Sequence, residues 1–301
     1  MHEEIASNKR RTVLLVAGAF LFFGVVGMLI GYVFGTGPIG LVVALVIAAV
    51  LSVSSFLYGD RLVLASSRAR EVSAADEPRL HNLVEGLAIA AGMPKPRIYV
   101  VPEQAPNAFA TGRDPEHASI AVTQGLLASM NRVELEGVIG HELAHVLDRD
   151  MLVGTIVATL VGAVVLMSEF LMRSWLWGGI GGRRGNDSNG GPATLIVFGI
   201  GFALMVLAPL AGEVIKRSVS RNREFLADAQ GAMLTRYPPG LASALRKIDA
   251  SPTAMHSANN ATAHLWLSQP SRIEGTRIGP LEKIFATHPP IAERIRRLEE
   301  M

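Results

Sequence analysis

The 301-residue chain contains no cysteine. That excludes a disulfide framework, a thiolate metal site, an iron–sulfur cluster and a cysteine nucleophile. Any metal must be held by histidine, aspartate or glutamate. Charge is scarce as well: 18% of residues are Asp, Glu, Lys or Arg against 50% hydrophobic, and mean hydropathy is +0.34. A soluble domain carries about a quarter charged residues, so the composition excludes an ordinary soluble protein and, equally, a disordered one. A formal net charge of only +2, beside a sequence pI near 9.1, sets up no strong field for nucleic acid, and no nucleic-acid partner is expected. Length alone allows about two domains.

What the chain has instead is long apolar runs. No charge falls between Thr12 and Gly59. Val13 to Phe34 is one run, Gly35-Thr36-Gly37-Pro38 is a turn signal, and Ile39 to Tyr58 is a second run. Each is about long enough to cross the ~30 Å hydrocarbon core at 1.5 Å per residue, which predicts a transmembrane hairpin. A cleaved signal peptide is the competing reading; the first run exceeds the usual signal core of about 7–15 residues, and a second span follows at once. A third run starts at Met151, and a fourth covers Ala193 to Gly212 beyond a Gly-rich loop, Gly178 to Gly191. Spans are expected over 151–172 and 193–215, with partial insertion as the alternative. Four spans put Lys9, Arg10, Arg11, Arg61, Arg68, Arg149, Lys216 and Arg217 on one side, which basic-residue bias makes the cytoplasmic one. Arg173, Arg183 and Arg184 in the second hairpin loop run against that bias.

The chain then divides into an amino-terminal hairpin (1–59), a first hydrophilic part (60–150), a second hairpin (151–215) and a second hydrophilic part (216–301), the two hydrophilic parts folding together. In the first part, Leu80, Leu83, Val84 and Leu87 recur at helical spacing and Gly92 stops the helix, which predicts a helix over Glu77–Ala91. Arg97–Val101, Ala108–Thr111 and Ser119–Thr123 read as strands. Asn131, with Glu134 three residues on, reads as a capping box opening a helix that runs to about Asp150. In the second part, Ser220–Leu234, Gly240–Ile248 and Pro289–Glu300 read as helices, and Ala250–Gly279 as irregular chain.

His141-Glu142-Leu143-Ala144-His145 lies inside the capped helix. Histidines at i and i+4 stand one above the other on one face, so both imidazoles can share one metal ion. The glutamate beside the first histidine is placed to act as general base on a water activated by that metal. An accidental match on a surface helix is the bland alternative. A catalytic zinc needs a third protein ligand and an open position. Glu224 is the candidate, on a predicted helix with Asp228 one turn on, where Asp228 would fix a zinc-bound ring through its other nitrogen. A solvated acidic–basic helix face explains the same spacing.

These motifs, in this order, resemble the HtpX-type membrane zinc metalloproteases, bacterial relatives of the CaaX prenyl endopeptidases. The resemblance also takes in the amino-terminal hairpin, Pro106-Asn107-Ala108-Phe109-Ala110-Thr111-Gly112, Thr123-Gln124-Gly125-Leu126-Leu127 and Thr287-His288-Pro289-Pro290 with Arg294. It implies a mainly α membrane protein with four transmembrane helices and a cytoplasmic zincin-like α+β metalloprotease domain built on a small β-sheet. It implies one Zn2+ per chain on His141, His145 and Glu224, with Glu142 as the base. It further implies a multi-pass protein of the bacterial inner membrane whose catalytic domain faces the cytoplasm. The implied role is a stress response, in which misfolded or damaged membrane proteins are cleaved as quality control.

Other positions carry less. In such proteases an edge strand pairs with the substrate, so Asn107 and Ala108 are expected to line the cleft; a turn asparagine opening a strand is the equal alternative. His288, held extended before two prolines, either approaches the metal or is a surface histidine. Asp148 and Asp150 support the helix end, orient a ligand or pair with an arginine. His256 and His264 are expected to be solvated, and the Trp266 patch reads as a lid or a membrane-surface contact. Glu169 and Glu213 read as boundary residues of the second hairpin. Two further functions compete: a non-catalytic membrane adaptor that keeps a structural metal, against which the intact Glu142 argues, and a channel or transporter, which leaves the histidine motif unexplained.

Overall fold

A computed structural model describes residues 2–33, 35–160, 162, 221–255, 262–268 and 289–301. Most of the second predicted hairpin, with its loop, Glu169 and Glu213, lies outside the described residues, as do His256 and His288.

The first two helices, α1 (His2–Val33) and α2 (Pro38–Ser66), are the predicted hairpin. Both are long and apolar enough to cross a membrane, and they are the two such helices among the described residues, so the other two expected spans are not met there. Their apolar side chains point outward, with Leu14 and Leu21 each 70% exposed and Ile39 62%, as lipid-facing residues would be. The helices touch through small residues. A Cβ on Gly40 would come within 2.6 Å of the Gly31 Cα, and one on Gly27 would collide with Ala44, so the backbones meet directly as in small-xxx-small membrane pairs.

The rest of the described chain surrounds a four-stranded sheet in the order β1 (Arg70–Glu71), β2 (Arg97–Val101), β4 (Ala118–Thr123), β3 (Ala108–Gly112). β2 and β4 are parallel; the outer pairings are antiparallel. Alternation along the strands sorts side chains to two buried faces. Ile98, Val100, Ala108, Ala110, Ile120 and Val122 join the main core with α3 (Pro78–Ala91), α5 (Arg132–Leu147) and a helix near the carboxyl end. Tyr99, Val101, Phe109 and Ala121 face Val63 and Leu64, near the end of α2, and Trp266. The hairpin is thus continuous with the core: α2 runs past the predicted boundary at residue 59 and packs its last turn on the sheet.

Local chemistry accounts for the helix ends. α3 starts with Pro78 at its first turn and ends on left-handed Gly92 at φ 65°. The short α4 (Gln124–Ser129) is capped by the Thr123 hydroxyl. At α5 the predicted capping box is present: Asn131 accepts from the Glu134 amide at 3.0 Å and the Glu134 carboxylate accepts from the Asn131 amide at 2.8 Å. The Glu134 carboxylate also accepts from Ser243 at 2.7 Å and pairs with Lys247 at 2.6 Å, tying α5 to α8 (Pro238–Asp249). α5 stops at Leu147, short of the predicted Asp150. Arg149 takes a left-handed φ of 59°, and the chain restarts as α6 (Asp150–Leu160). The last helices are α7 (Arg221–Thr235), α8 and α9 (Ile291–Glu299).

Candidate metal centre

The sequence of α5 puts His141 and His145 on the same face, and α7 crosses that face. Glycines permit the approach: a Cβ on Gly231 would stand 2.7 Å from the His141 amide nitrogen, and one on Gly140 would stand 3.1 Å from the Gly231 carbonyl oxygen. Glu224, seven residues before Gly231 and so on the same side of α7, is brought to the two rings. The His145 Nε2 lies 3.1 Å from the His141 Nε2 and 3.6 Å from the Glu224 Oε1, and the Glu224 Oε2 lies 3.9 Å from the His141 Nε2. Ligands bonded to zinc at 2.0–2.1 Å in a tetrahedral site stand about 3.3 Å apart. Two imidazoles and one carboxylate at this spacing fit such an ion, and a cavity lined also by Ala110, Glu142 and Leu267 borders them.

Each histidine is steered from behind. The His141 Nδ1 lies 2.9 Å from the Asp228 Oδ1, and Asp228 takes two hydrogen bonds from Arg294, at 2.8 and 2.7 Å. The His145 Nδ1 lies 3.2 Å from the Asp150 Oδ2, and the other Asp150 oxygen is held by Arg223 at 2.6 Å. Arginine–carboxylate–histidine chains of this kind fix ring orientation and tautomer. Asp150 therefore joins both earlier alternatives, arginine pair and ring support, in one side chain.

Electrostatics separate the two rings. Burial pulls the His141 imidazole down to about 4, with the Arg294 and His145 charges adding to it against the hydrogen bond to Asp228. Burial works the same way on His145, but the Asp150 hydrogen bond and the charges of Glu224, Asp150 and Glu142 outweigh it and lift the ring to about 9. Without metal, His145 is therefore the cationic partner and donates to His141 across the 3.1 Å contact. Asp228 is held down at about 2, its burial overcome by Arg294 and His141. Glu142 goes the other way. Burial, with Glu224 adding, raises it to about 7 against His145, Arg294 and a hydrogen bond from the Ala110 amide. Its Oε1 is buried with no hydrogen-bond partner among the described residues. Such an orphaned acceptor beside that cavity is where a reacting water fits.

The other expected residues land unevenly. Arg294 is fully buried behind Asp228, 3.6 Å from the Glu224 carboxylate. Asn107 and Ala108 open the edge strand β3, but their edge is already taken by this chain. The Asn107 side chain donates to the Ser268 carbonyl at 2.8 Å and accepts from the Ser268 amide at 3.2 Å, and the Ala108 carbonyl accepts from Leu267 at 2.8 Å. The residue of β3 that reaches the cleft is Ala110. Trp266 is neither lid nor membrane contact: it is fully buried, edge-on to Phe109 at 4.6 Å. His264 is 5% exposed rather than solvated, and its Nε2 meets the Gly154 carbonyl at 3.0 Å. Ala110, Arg223 and Leu267 were not picked out as site residues from sequence. Arg223 alone left a signal, an arginine directly before the predicted ligand.

Residues 74–301 match the family described as peptidase family M48. The chain belongs to that family. As an M48 member it is a metalloendopeptidase, and its relatives agree along its whole length. It is 42% identical to a protease HtpX homolog of Thermoanaerobacter pseudethanolicus, covering 100% of this chain and 98% of that one. It is 41% identical to a protease HtpX homolog of Leuconostoc citreum, covering 100% of both. Among solved structures it resembles the S. mikatae Ste24p crystal structure, with a TM-score of 0.52 at 18% identity over 99% of this chain and 67% of that one, a likeness of fold. With the two apolar helices, the family makes this M48 peptidase a membrane metalloprotease.

Proposed function

We propose that His141, His145 and Glu224 hold one zinc ion and that Glu142 is the general base of peptide-bond hydrolysis. The observation that carries this reading is the convergence of two imidazoles and a carboxylate, with one ligand atom of each within 4.8 Å of the others, beside a buried glutamate with one unsatisfied oxygen. When bound, zinc supplies Lewis acidity that acidifies a water and polarises the scissile carbonyl. Glu142 takes the proton of the attacking water on Oε1 and hands it to the leaving amine, while the Ala110 amide holds its carboxylate in place. Asp228 with Arg294, and Asp150 with Arg223, orient the rings and keep Nδ1 protonated so that Nε2 faces the metal. A substrate strand adding to β3 meets Ala110, because the Ala108 carbonyl is engaged by Leu267.

The wider reading is an integral-membrane quality-control endopeptidase with four spans, the second pair over 151–172 and 193–215, and one catalytic domain assembled from 60–150 and 216–301. Its site faces the cytoplasm of the bacterial inner membrane and acts on misfolded or damaged membrane proteins. The basic residues flanking the spans support that orientation. So does the Asn8 side chain, which reaches the end of α5 from the start of the first membrane helix and so puts the amino terminus and the site on one side. The test is a pair of variants in purified, detergent-solubilised protein, measured for zinc content and for cleavage of casein. Glu142→Gln should keep zinc and lose cleavage, and Glu224→Ala should lose zinc. Cleavage by Glu142→Gln at the wild-type rate would sink the assigned base.

A further inference from the structure

Asn8 precedes the first apolar run and adjoins Lys9, Arg10 and Arg11, where a polar side chain is expected to meet water. It is instead 2% exposed. Its Nδ2 donates to the Asp148 carbonyl at 2.8 Å and to the Asp150 Oδ1 at 2.7 Å, and its Oδ1 accepts from the Arg223 Nη1 at 2.8 Å. The two acceptors straddle Arg149, the left-handed residue at which α5 ends and α6 begins. The second Asp150 oxygen faces the His145 ring at 3.2 Å, and Arg223 directly precedes Glu224. One amide from the membrane hairpin therefore closes a ring of contacts behind His145, through an arginine whose chain neighbour is Glu224.

We propose that Asn8 is a positioning residue for the metal centre: it fixes the Asp150 carboxylate and, through it, the His145 imidazole, which makes the amino-terminal hairpin a working part of metal binding and not only an anchor. The inference rests on the His141–His145–Glu224 reading of the centre. The physical reason is geometric. An Asp150 side chain held by Arg223 alone can pivot about that contact. A second donor on the same oxygen, anchored to a different helix, removes the pivot and holds the free oxygen toward the ring. Coupling of this kind is reciprocal, so bound metal must in turn steady the start of α1.

The test is zinc affinity by chelator competition on the full-length detergent-solubilised protein, for wild type, Asn8→Ala, Asp150→Asn, the double variant and His145→Ala. Asn8→Ala should weaken zinc binding about tenfold, the low end for loss of an outer partner, and should add nothing in the Asp150→Asn background, because both act through one carboxylate. A purely structural role would lower thermal stability and give additive losses. Wild-type zinc affinity in Asn8→Ala, or additivity in the double variant, overturns the proposal. Zinc binding that survives His145→Ala overturns the metal-centre reading instead. Should Asn8→Ala fail to fold, hydrogen exchange on the wild-type protein decides: stripping zinc should speed exchange at the amides of residues 5–11, and unchanged exchange there refutes the coupling.

Discussion

His141 and His145 sit one turn apart on a single helix, each backed by a carboxylate that an arginine holds, yet the two flanks are built differently. The His141 flank is closed: Asp228 and Arg294 come from α7 and α9 and are 2% and 0% exposed. The His145 flank is assembled around a helix break, Asp148 to Asp150, and is finished by the amino-terminal helix. The closed flank pulls its imidazole down to about 4, and the open one lifts its imidazole to about 9. A shared motif therefore does not give two equivalent ligands. One nitrogen is ready for a cation at any ordinary pH, and the other must first give up a proton.

The largest expected effect tests whether either flank does chemistry at all. Glu142→Gln leaves both intact and should cost about 10²–10⁴-fold in kcat, the usual contribution of a general base, with zinc content unchanged by metal analysis. Next comes the flanks' unequal burial. Asp228→Ala removes both short hydrogen bonds of the buried Arg294 charge to carboxylate and leaves it only the longer 3.6 Å pairing with Glu224, and breaking a buried pair costs about 3–5 kcal/mol. Asp150→Ala should destabilise less, since the Asp150 and His145 side chains retain 11% and 16% exposure; chemical denaturation of the two variants gives the order, and equal losses would erase the distinction.

The difference in proton affinity predicts how zinc uptake follows pH. His145 keeps its proton up to about 9 without metal, while His141 has shed its own above about 4. Zinc must displace the His145 proton, so affinity should rise roughly tenfold per pH unit from neutrality and level off near 9, with about one proton released per ion. In the metal-free protein the two stability contributions depend on pH in opposite directions. That of His145, whose folded value is raised, is fully present below about 6.5 and is lost as pH rises through 9. That of His141, whose folded value is lowered, is present above about 6.5 and is lost as pH falls through 4. Proton release by calorimetry in two buffers checks the uptake, and a release that does not fall away as pH approaches about 9 refutes His145 as its source. The smallest effect is at the far end of the same helix. Asn131→Ala removes the cap of α5 and should cost about 1 kcal/mol, seen as a modest fall in thermal midpoint with zinc affinity unaltered.

Legibility from sequence followed the range of the interactions. The hairpin, the capping box, the strands over 97–101, 108–111 and 119–123 and the histidine pair are marked by patterns within a few residues, and the structure has them within about a turn. Asp228 behind the His141 ring was readable because it stands one turn from Glu224. The second flank was readable only in part: Asp150 could be named as a ligand-orienting or arginine-paired carboxylate, but not its partners. Asn8 looks like any amide before a basic cluster, and only a contact 140 residues away gives it a role. His264 and Trp266 sit in a stretch without periodicity, so they looked solvated or superficial, although the sheet and α6 enclose them. Arg149 hid the end of α5 for a related reason: nothing but glycine advertises a left-handed turn in advance.

The glycine contact between α5 and α7 works as a spacer of zero length. A methyl group at Gly231 would press on the His141 backbone, and α7 would have to back away, carrying Glu224, two turns upstream on the same face, with it. The width of the slot between the two helices is thus set by the thickness of two bare backbones.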